Sequence, residues 1–314
     1  MKLLEIKGLN ITLKTPRLPL VYDMSFELSE GEILGIVGES GCGKSLTNHA
    51  IMGLLPPELE VEADILNFKE DSLLNLSPSQ WQKHRGANIS MIFQNPMSAL
   101  NPCWTIEYQL KEAITAHFPK LSEEEKTQRC FELLEKVGIT AIHHRLQSYP
   151  HQLSGGMCQR VMIAQALACR PKVLLADEPT TALDVTIQKQ ILDLLTELAK
   201  SEGLALVLVS HDLSLISRYC QRVLVMYAGT VIEEGQCQKL LNSPQHPYTK
   251  GLLNAHPDPF GPKKRPMAIP GRVPSPQEAL SLKCKFSPRC FNKKPECEEQ
   301  EISKTSSVKC LFPL

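Results

Sequence analysis

Eight residues, Gly38-Glu39-Ser40-Gly41-Cys42-Gly43-Lys44-Ser45, fit the pattern G-x-x-x-x-G-K-[ST] directly after the apolar run Ile33-Leu34-Gly35-Ile36-Val37. No other stretch limits the fold as tightly. A buried strand, a glycine turn and a helix start, in that order, form the phosphate-binding unit of an α/β sheet. The glycines let the backbone turn so that several N–H groups converge. Lys44 adds a full positive charge, and the following helix adds its partial positive end. A triphosphate fits such a cradle, and the hydroxyl of Ser45 is placed to ligate the Mg²⁺ that bridges the outer phosphates.

At 314 residues the chain has room for one large α/β domain with an appendage, or for two ordinary domains. Lys+Arg and Asp+Glu both total 34, so nothing in the overall charge points to a nucleic-acid partner, and none is expected. The longest apolar run, Leu204 to Val209, is strand-sized; a membrane span needs about 20 residues. Met1 to Lys7 alternates like a strand and lacks the apolar core of a signal peptide, so the chain is expected to stay in the reducing compartment where it is made. Its eleven cysteines then read as buried thiols or metal ligands before disulfides.

Alternating segments at Leu3 to Lys7, Leu9 to Leu13 and Met24 to Leu28 predict a small antiparallel sheet beside a parallel core, with Gly31 in the turn before the core strand. Tyr22 is the nearby ring that could stack on a base, or it is an ordinary strand tyrosine. Lys44 to Leu54 is helical in pattern and stops at Pro56-Pro57. Ile89 to Phe93 reads as a buried strand ending in Gln94, an amide that could bind Mg²⁺ or order the attacking water. Thr105 to Ala116 and Ser122 to Val137 are helical, and Ser122 with Glu125 makes a capping-box pattern. Ser154-Gly155-Gly156 opens a further helix; it is either a second anion site or a plain cap.

Val173 to Glu178 is an apolar strand ending in two carboxylates, a costly arrangement unless a cation or water is handled there. Asp177 is the candidate Mg²⁺ holder and Glu178 the candidate general base. Thr181-Ala182-Leu183-Asp184 forms a turn before the helix Val185 to Lys200. Leu204 to Val209 is another buried strand, and His211 just beyond it is a candidate γ-phosphate contact. Gln221 to Tyr227 and Thr230 to Glu234 flank Ala228-Gly229 as a hairpin.

From Pro244 to Pro276 the chain carries nine of its 23 prolines, with the basic run Lys263-Lys264-Arg265 read as solvated linker, so the main globular core is expected to end near residue 255. Cys284, Cys290, Cys297 and Cys310 then fall within the last 31 residues at spacings x5, x6 and x12. That pattern suits a tetrathiolate site stapling a tail too short for its own core, which zinc or an iron–sulfur cluster would fill; four separate thiols or a labile disulfide pair are the other reading.

Taken together, the phosphate loop, Gln94, Leu153 to Gly156, Val173 to Glu178, Thr181 to Asp184 and His211 resemble in order and spacing an ATP-binding-cassette (ABC) ATPase over residues 1 to about 255. Phe93 to Pro102, His246-Pro247-Tyr248-Thr249 and Cys284-Lys285-Phe286-Ser287-Pro288-Arg289-Cys290 are similar to the dipeptide/oligopeptide permease branch. The resemblance implies an α/β P-loop NTPase fold: a mixed, mainly parallel core sheet, an antiparallel β subdomain and a helical subdomain at about 97–165, followed at 256–314 by a proline-rich linker and a Cys-rich C-terminal extension. It implies ATP and Mg²⁺ as ligands, with Gly38 to Ser45 and Leu46 on the phosphates and Ser45, Gln94 and Asp177 on the metal. Glu178, His211 and Gln94 would serve hydrolysis. Ser154, Gly155, Gly156 and Asp184 would contact the nucleotide held by a second chain. For the four tail cysteines it implies a [4Fe-4S] cluster, with zinc the alternative.

The same resemblance implies partners: a second, different ATPase chain, two transmembrane permease subunits and an extracytoplasmic solute-binding protein, with this chain peripheral on the cytoplasmic face of the cell membrane. Its reaction would be ATP hydrolysis coupled to peptide uptake. Nickel, a glycopeptide or an antimicrobial peptide as cargo, and a soluble cassette protein acting in translation or DNA repair, are the alternatives. Three positions depart from the common pattern: Cys42 where serine is usual in the loop, Met157 where glutamine is usual, and Cys158 where a polar or basic residue is usual.

Overall fold

Two long strands form where three short ones are expected. β1 (Lys2–Leu13) and β2 (Leu18–Ser29) pair antiparallel, and the register shifts between Ile6 and Leu9. Gly8, at φ 61, sits in that shift, so β1 bends through a bulge instead of ending. β3 (Ile33–Val37) is buried at all five positions, as a strand covered on both faces must be, and leads through the glycine loop into the helix Lys44–Ile51. β4 (Leu59–Glu62), β5 (Ile65–Phe68) and β6 (Asp71–Ser72) complete an antiparallel sheet of order β2-β1-β5-β6, with β4 also on β1.

The computed structural model describes residues 1–181, 183–255, 265–302 and 307–314. Ala182 of the expected turn, and Lys263 and Lys264 of the basic run, lie outside the described residues. The chain separates into two compact units, one of residues 75–206 with Met1, the other of residues 2–74 and 207–314. The cysteine-bearing tail thus shares a unit with the phosphate loop.

In the 75–206 unit, β7 (Ile89–Ile92) and β8 (Val173–Asp177) pair in parallel with Ile89 opposite Val173. Between them lies the expected helical insertion, with principal helices Ile106–His117, Glu123–Lys136 and Gly155–Leu167. Ser122 and Glu125 make the capping box foreseen for them. Helix Val185–Glu202 follows and ends at Gly203 in the left-handed conformation, which lets its last carbonyls find partners.

In the other unit, β10 (Arg222–Tyr227) lies parallel to β3 and antiparallel to β11 (Thr230–Gln236), giving the order β11-β10-β3-β9, where residues 207–210 of β9 (Ala205–Ser210) belong to this unit. Ala228 and Gly229 form the hairpin turn at φ 44 and 80, the positive values that match strand twist. The tail joins the edge of β11: Glu234 N donates to Ser307 O at 2.9 Å, and Lys309 N to Ile232 O at 2.7 Å.

The tetrathiolate expectation is overturned. Among the described residues, which include all four tail cysteines, no group of three or more Cys, His, Asp or Glu side chains is placed to hold a metal ion. Neither the [4Fe-4S] cluster nor its zinc alternative therefore stands, and the four are free thiols. Burial pushes the Cys284 thiol up to about 11 and raises those of Cys290 and Cys310, which favours the thiol over the thiolate a metal requires. The tail also has another anchor. Phe286, 2% exposed, packs its ring against Tyr227, Tyr248 and His246 at centroid distances of 5.2, 5.3 and 5.7 Å. Burying such a ring contributes roughly 1.5–3 kcal/mol, enough to dock a short segment without a metal.

Candidate nucleotide-binding site

The phosphate loop turns where its glycines allow. Gly41 and Gly43 stand at φ 80 and 104, and a Cβ on Gly43 would come within 2.8 Å of Val21 Cγ2. Gly38 is required by space instead: its Cβ would lie 2.3 Å from Met226 O and 2.7 Å from Cys42 Sγ. Lys44 is 3% exposed, and its ammonium donates to Gly38 O at 2.7 Å and Glu39 O at 3.1 Å, so the loop folds around its own cation. Ser45 follows within the first turn of the helix, and its carbonyl accepts from or faces the His49 ring at 2.7 Å. Ser40 and Leu46 complete the loop and helix start. Cys42 is buried, and burial raises its thiol, with Lys44 opposing.

Three residues that sequence reasoning leaves unassigned hold this loop. The Tyr248 hydroxyl accepts from Glu39 N–H at 3.0 Å, and Arg289 pairs with both Glu39 carboxylate oxygens at 2.7 and 3.0 Å. Lys285 donates to Ala228 O and Thr230 Oγ1, while the Gly229 N–H next to Ala228 donates to Cys42 O at 3.0 Å. The only sequence signal for them was the pair of stretches His246 to Thr249 and Cys284 to Cys290. Burial, with Lys309 nearby, pulls the Lys285 amine down to about 7. Tyr22 lies under that amine, 3.2 Å from its ring centroid, so the tail occupies one face of the ring offered for base stacking.

In the 75–206 unit the carboxylates stand at the end of β8. Asp177 and Glu178 are 3% and 9% exposed. Glu178 has left strand geometry for the left-handed region, φ 46, an uncommon conformation for a non-glycine residue and one found often at functional sites. Its Oε2 accepts from Gln94 Nε2 at 3.0 Å and from Thr181 Oγ1 at 2.9 Å. The structure thus joins Gln94 to Glu178. Because the amide nitrogen of Gln94 is engaged, its carbonyl oxygen is the end that suits a cation. Gln94 and Asp177, both of this unit, offer oxygen donors, the chemistry Mg²⁺ prefers.

Ser154 caps its own helix, its Oγ accepting from Met157 N–H at 3.3 Å, and both Ser154 and Gly155 are exposed. Cap and exposed helix start coexist here, leaving N–H groups toward solvent. Gly156 faces Ile187, where a Cβ would come within 3.1 Å. Asp184 caps the helix Val185–Glu202 through Ile187 N–H at 3.0 Å and is also exposed. In the other unit His211 is exposed at the end of β9. Taken singly, one unit carries a loop suited to an anion and the other a carboxylate whose orientation is fixed by two hydrogen bonds.

A family profile described as "ABC transporter" matches residues 21–181, and one described as "Oligopeptide/dipeptide transporter, C-terminal region" matches residues 232–297. The dipeptide transport ATP-binding protein DppD of Escherichia coli (strain K12) is 44% identical, over 100% of this chain and 98% of its own length. The oligopeptide transport ATP-binding protein OppD of the same organism is 44% identical, over 92% and 85%. Among solved structures, the dimeric structure of MJ0796, described as a bacterial ABC transporter cassette, superposes with TM-score 0.66 at 30% identity, covering 74% of this chain and 98% of that one.

Proposed function

The chain belongs to the ATP-binding subunits of ABC transporters, in the oligopeptide/dipeptide branch, and from that premise we propose how its residues divide the work of ATP-driven peptide uptake. It is an ATPase subunit of a peptide importer. The observation that carries this is the match of 44% identity across the full chain, extension included.

ATP binds with its phosphates on the backbone N–H groups of Gly38 to Ser45 and on Lys44. The Ser45 hydroxyl, the Gln94 carbonyl and Asp177 are the residues that would hold Mg²⁺, which would supply charge neutralisation of the outer phosphates. Glu178 accepts the proton of the attacking water; Gln94 and Thr181 fix the orientation of its carboxylate, so little reorganisation is needed when the water is in place. His211 contacts the γ-phosphate from the end of β9.

Hydrolysis requires a second ATPase chain, whose Ser-Gly-Gly helix start contacts this nucleotide, while Ser154, Gly155, Gly156 and Asp184 serve the partner's. The exposure of Ser154, Gly155 and Asp184 supports that reading, as does the dimer reported for the MJ0796 cassette. The partner chain is a different ATPase, and two permease subunits and a solute-binding protein complete the transporter. The cargo is a di- or oligopeptide. No helix among the described residues is long and apolar enough to cross a membrane, and the chain sits peripherally on the cytoplasmic face, bound to the permeases.

The test is reconstitution of the four-subunit complex in vesicles. Peptide-loaded binding protein should stimulate ATP hydrolysis and drive labelled dipeptide inward, and Lys44→Ala in this chain should abolish both. Uptake that continues without ATP would overturn the assignment.

A further inference from the structure

We infer that the C-terminal extension is a working part of the nucleotide site: Arg289 is a positioning residue that neutralises Glu39, the second residue of the phosphate loop, and so keeps the cradle attractive to a polyanion. Glu39 places a carboxylate in a loop whose task is to bind triphosphate. Left alone, that charge would oppose the ligand through a few ångströms of poorly screened space. Arg289 cancels it through a two-pronged contact, Nη1 to Oε2 at 2.7 Å and Nη2 to Oε1 at 3.0 Å. The planar fork of an arginine matches a carboxylate in a way a lysine cannot.

The guanidinium is preorganised. Its side chain is 4% exposed, against 30% for that of Glu39. Nε donates to Pro270 O at 2.9 Å, Nη2 to Ile269 O at 3.4 Å and Nη1 to the Tyr227 hydroxyl at 3.4 Å, so two extension carbonyls and a β10 tyrosine aim it. Residue 39 is consequently held at every polar group: its N–H by Tyr248, its C=O by Lys44, its carboxylate by Arg289. A buried arginine costs a good deal to desolvate, and among the described residues this one meets its counter-charge in the phosphate loop. Four residues earlier in the same strap, Lys285 grips the hairpin that hydrogen-bonds Cys42 O. The extension therefore reaches both flanks of the loop, and loosening it changes the charge that ATP meets.

The inference rests on the loop binding ATP, and a double-mutant cycle separates the two claims. Affinity of the full chain for a non-hydrolysable ATP analogue with Mg²⁺ is measured by calorimetry for wild type, Arg289→Gln, Glu39→Gln, the double variant and Lys44→Ala. Arg289→Gln is expected to weaken binding about tenfold when Glu39 is present and less than about twofold when residue 39 is already Gln. Arg289→Lys should recover part of the loss, and a merely structural arginine would show neither rescue. If Arg289→Gln does not fold, the Arg289→Lys pair of backgrounds supplies the same cycle with a smaller expected loss. Equal losses in both backgrounds, or none, would overturn the role of Arg289. Wild type binding no more tightly than Lys44→Ala would overturn the nucleotide reading itself, and this inference with it.

Discussion

The amide nitrogen of Gln94 donates to the Glu178 carboxylate at 3.0 Å, joining two residues 84 positions apart at the ends of adjacent parallel strands. The hydroxyl of Thr181 binds the same oxygen. Glu178→Gln is expected to keep ATP binding and to lower turnover in the assembled complex by about 100-fold or more, the usual contribution of a general base. Phosphate release measured beside nucleotide affinity checks it. Near-normal hydrolysis would remove Glu178 from that role. Gln94→Ala should also lower turnover, since it removes one of the two groups that orient this carboxylate as well as the carbonyl proposed for Mg²⁺.

Gly38→Ala puts a methyl group 2.3 Å from the Met226 carbonyl oxygen, a contact that no rotamer change relieves. The loop must shift, and ATP affinity should fall by at least about tenfold, with a lower melting temperature. Gly31→Ala is the comparison: nothing lies within 4 Å of its Cβ, so its φ of 70 is the only source of strain. A cost near 1 kcal/mol is expected there, read from denaturant unfolding, with no effect on nucleotide. Equal effects of the two changes on ATP affinity would contradict the steric account.

Burial lowers the His246 imidazole from 6.5 to about 4. It is 2% exposed, and its Nδ1 accepts from Tyr248 N–H at 3.0 Å, which requires that nitrogen to be unprotonated. As pH falls from 6.5 toward 4 the unfolded chain gains this proton and the folded chain does not. Stability is fully present above 6.5 and is lost progressively down to about 4, by an amount on the order of 3 kcal/mol. Urea unfolding at several pH values should show the loss, and His246→Gln should flatten that part of the curve. An unchanged slope in the variant would exclude His246 as the source.

Phe286→Ala removes the ring that docks the extension among Tyr227, Tyr248 and His246. Truncating a buried Phe costs about 3–5 kcal/mol. The expected result is earlier thermal unfolding and faster proteolytic cutting in the 265–290 stretch. Unchanged cleavage would mean that the extension is held by other contacts, its pairing with β11 foremost.

Short-range patterns were legible in the chain itself. The loop Gly38 to Ser45, the buried strands, the Ser122 to Glu125 cap and the Ala228-Gly229 turn each depend on neighbours within a few residues, and the local pattern carries the local physics. The ABC ATPase fold followed from their order. Strand ends were less legible: Leu3 to Lys7 and Leu9 to Leu13 read as two segments and are one strand bulged at Gly8, because a glycine can end a strand or bend it and the cross-strand partner decides. The cysteine spacing misled for a related reason. Four thiols in a short tail fit a metal site on paper, but ligation needs convergence in space, and an apolar dock for Phe286 removes the need for a staple.

By itself, then, the sequence determined the chemistry available: a phosphate cradle, a strand ending in Asp177 and Glu178, an amide at Gln94 and a helix opened by Ser154. Only the tertiary structure decided which of these groups meet and what holds them. Glu39 and Arg289 are 250 positions apart, and their pairing depends on how the tail folds back beside the phosphate loop, not on any spacing along the chain. Periodicity reports the face a residue presents. It does not say which distant charge that face will find, and it is that charge which makes a loop containing a glutamate fit to receive a triphosphate.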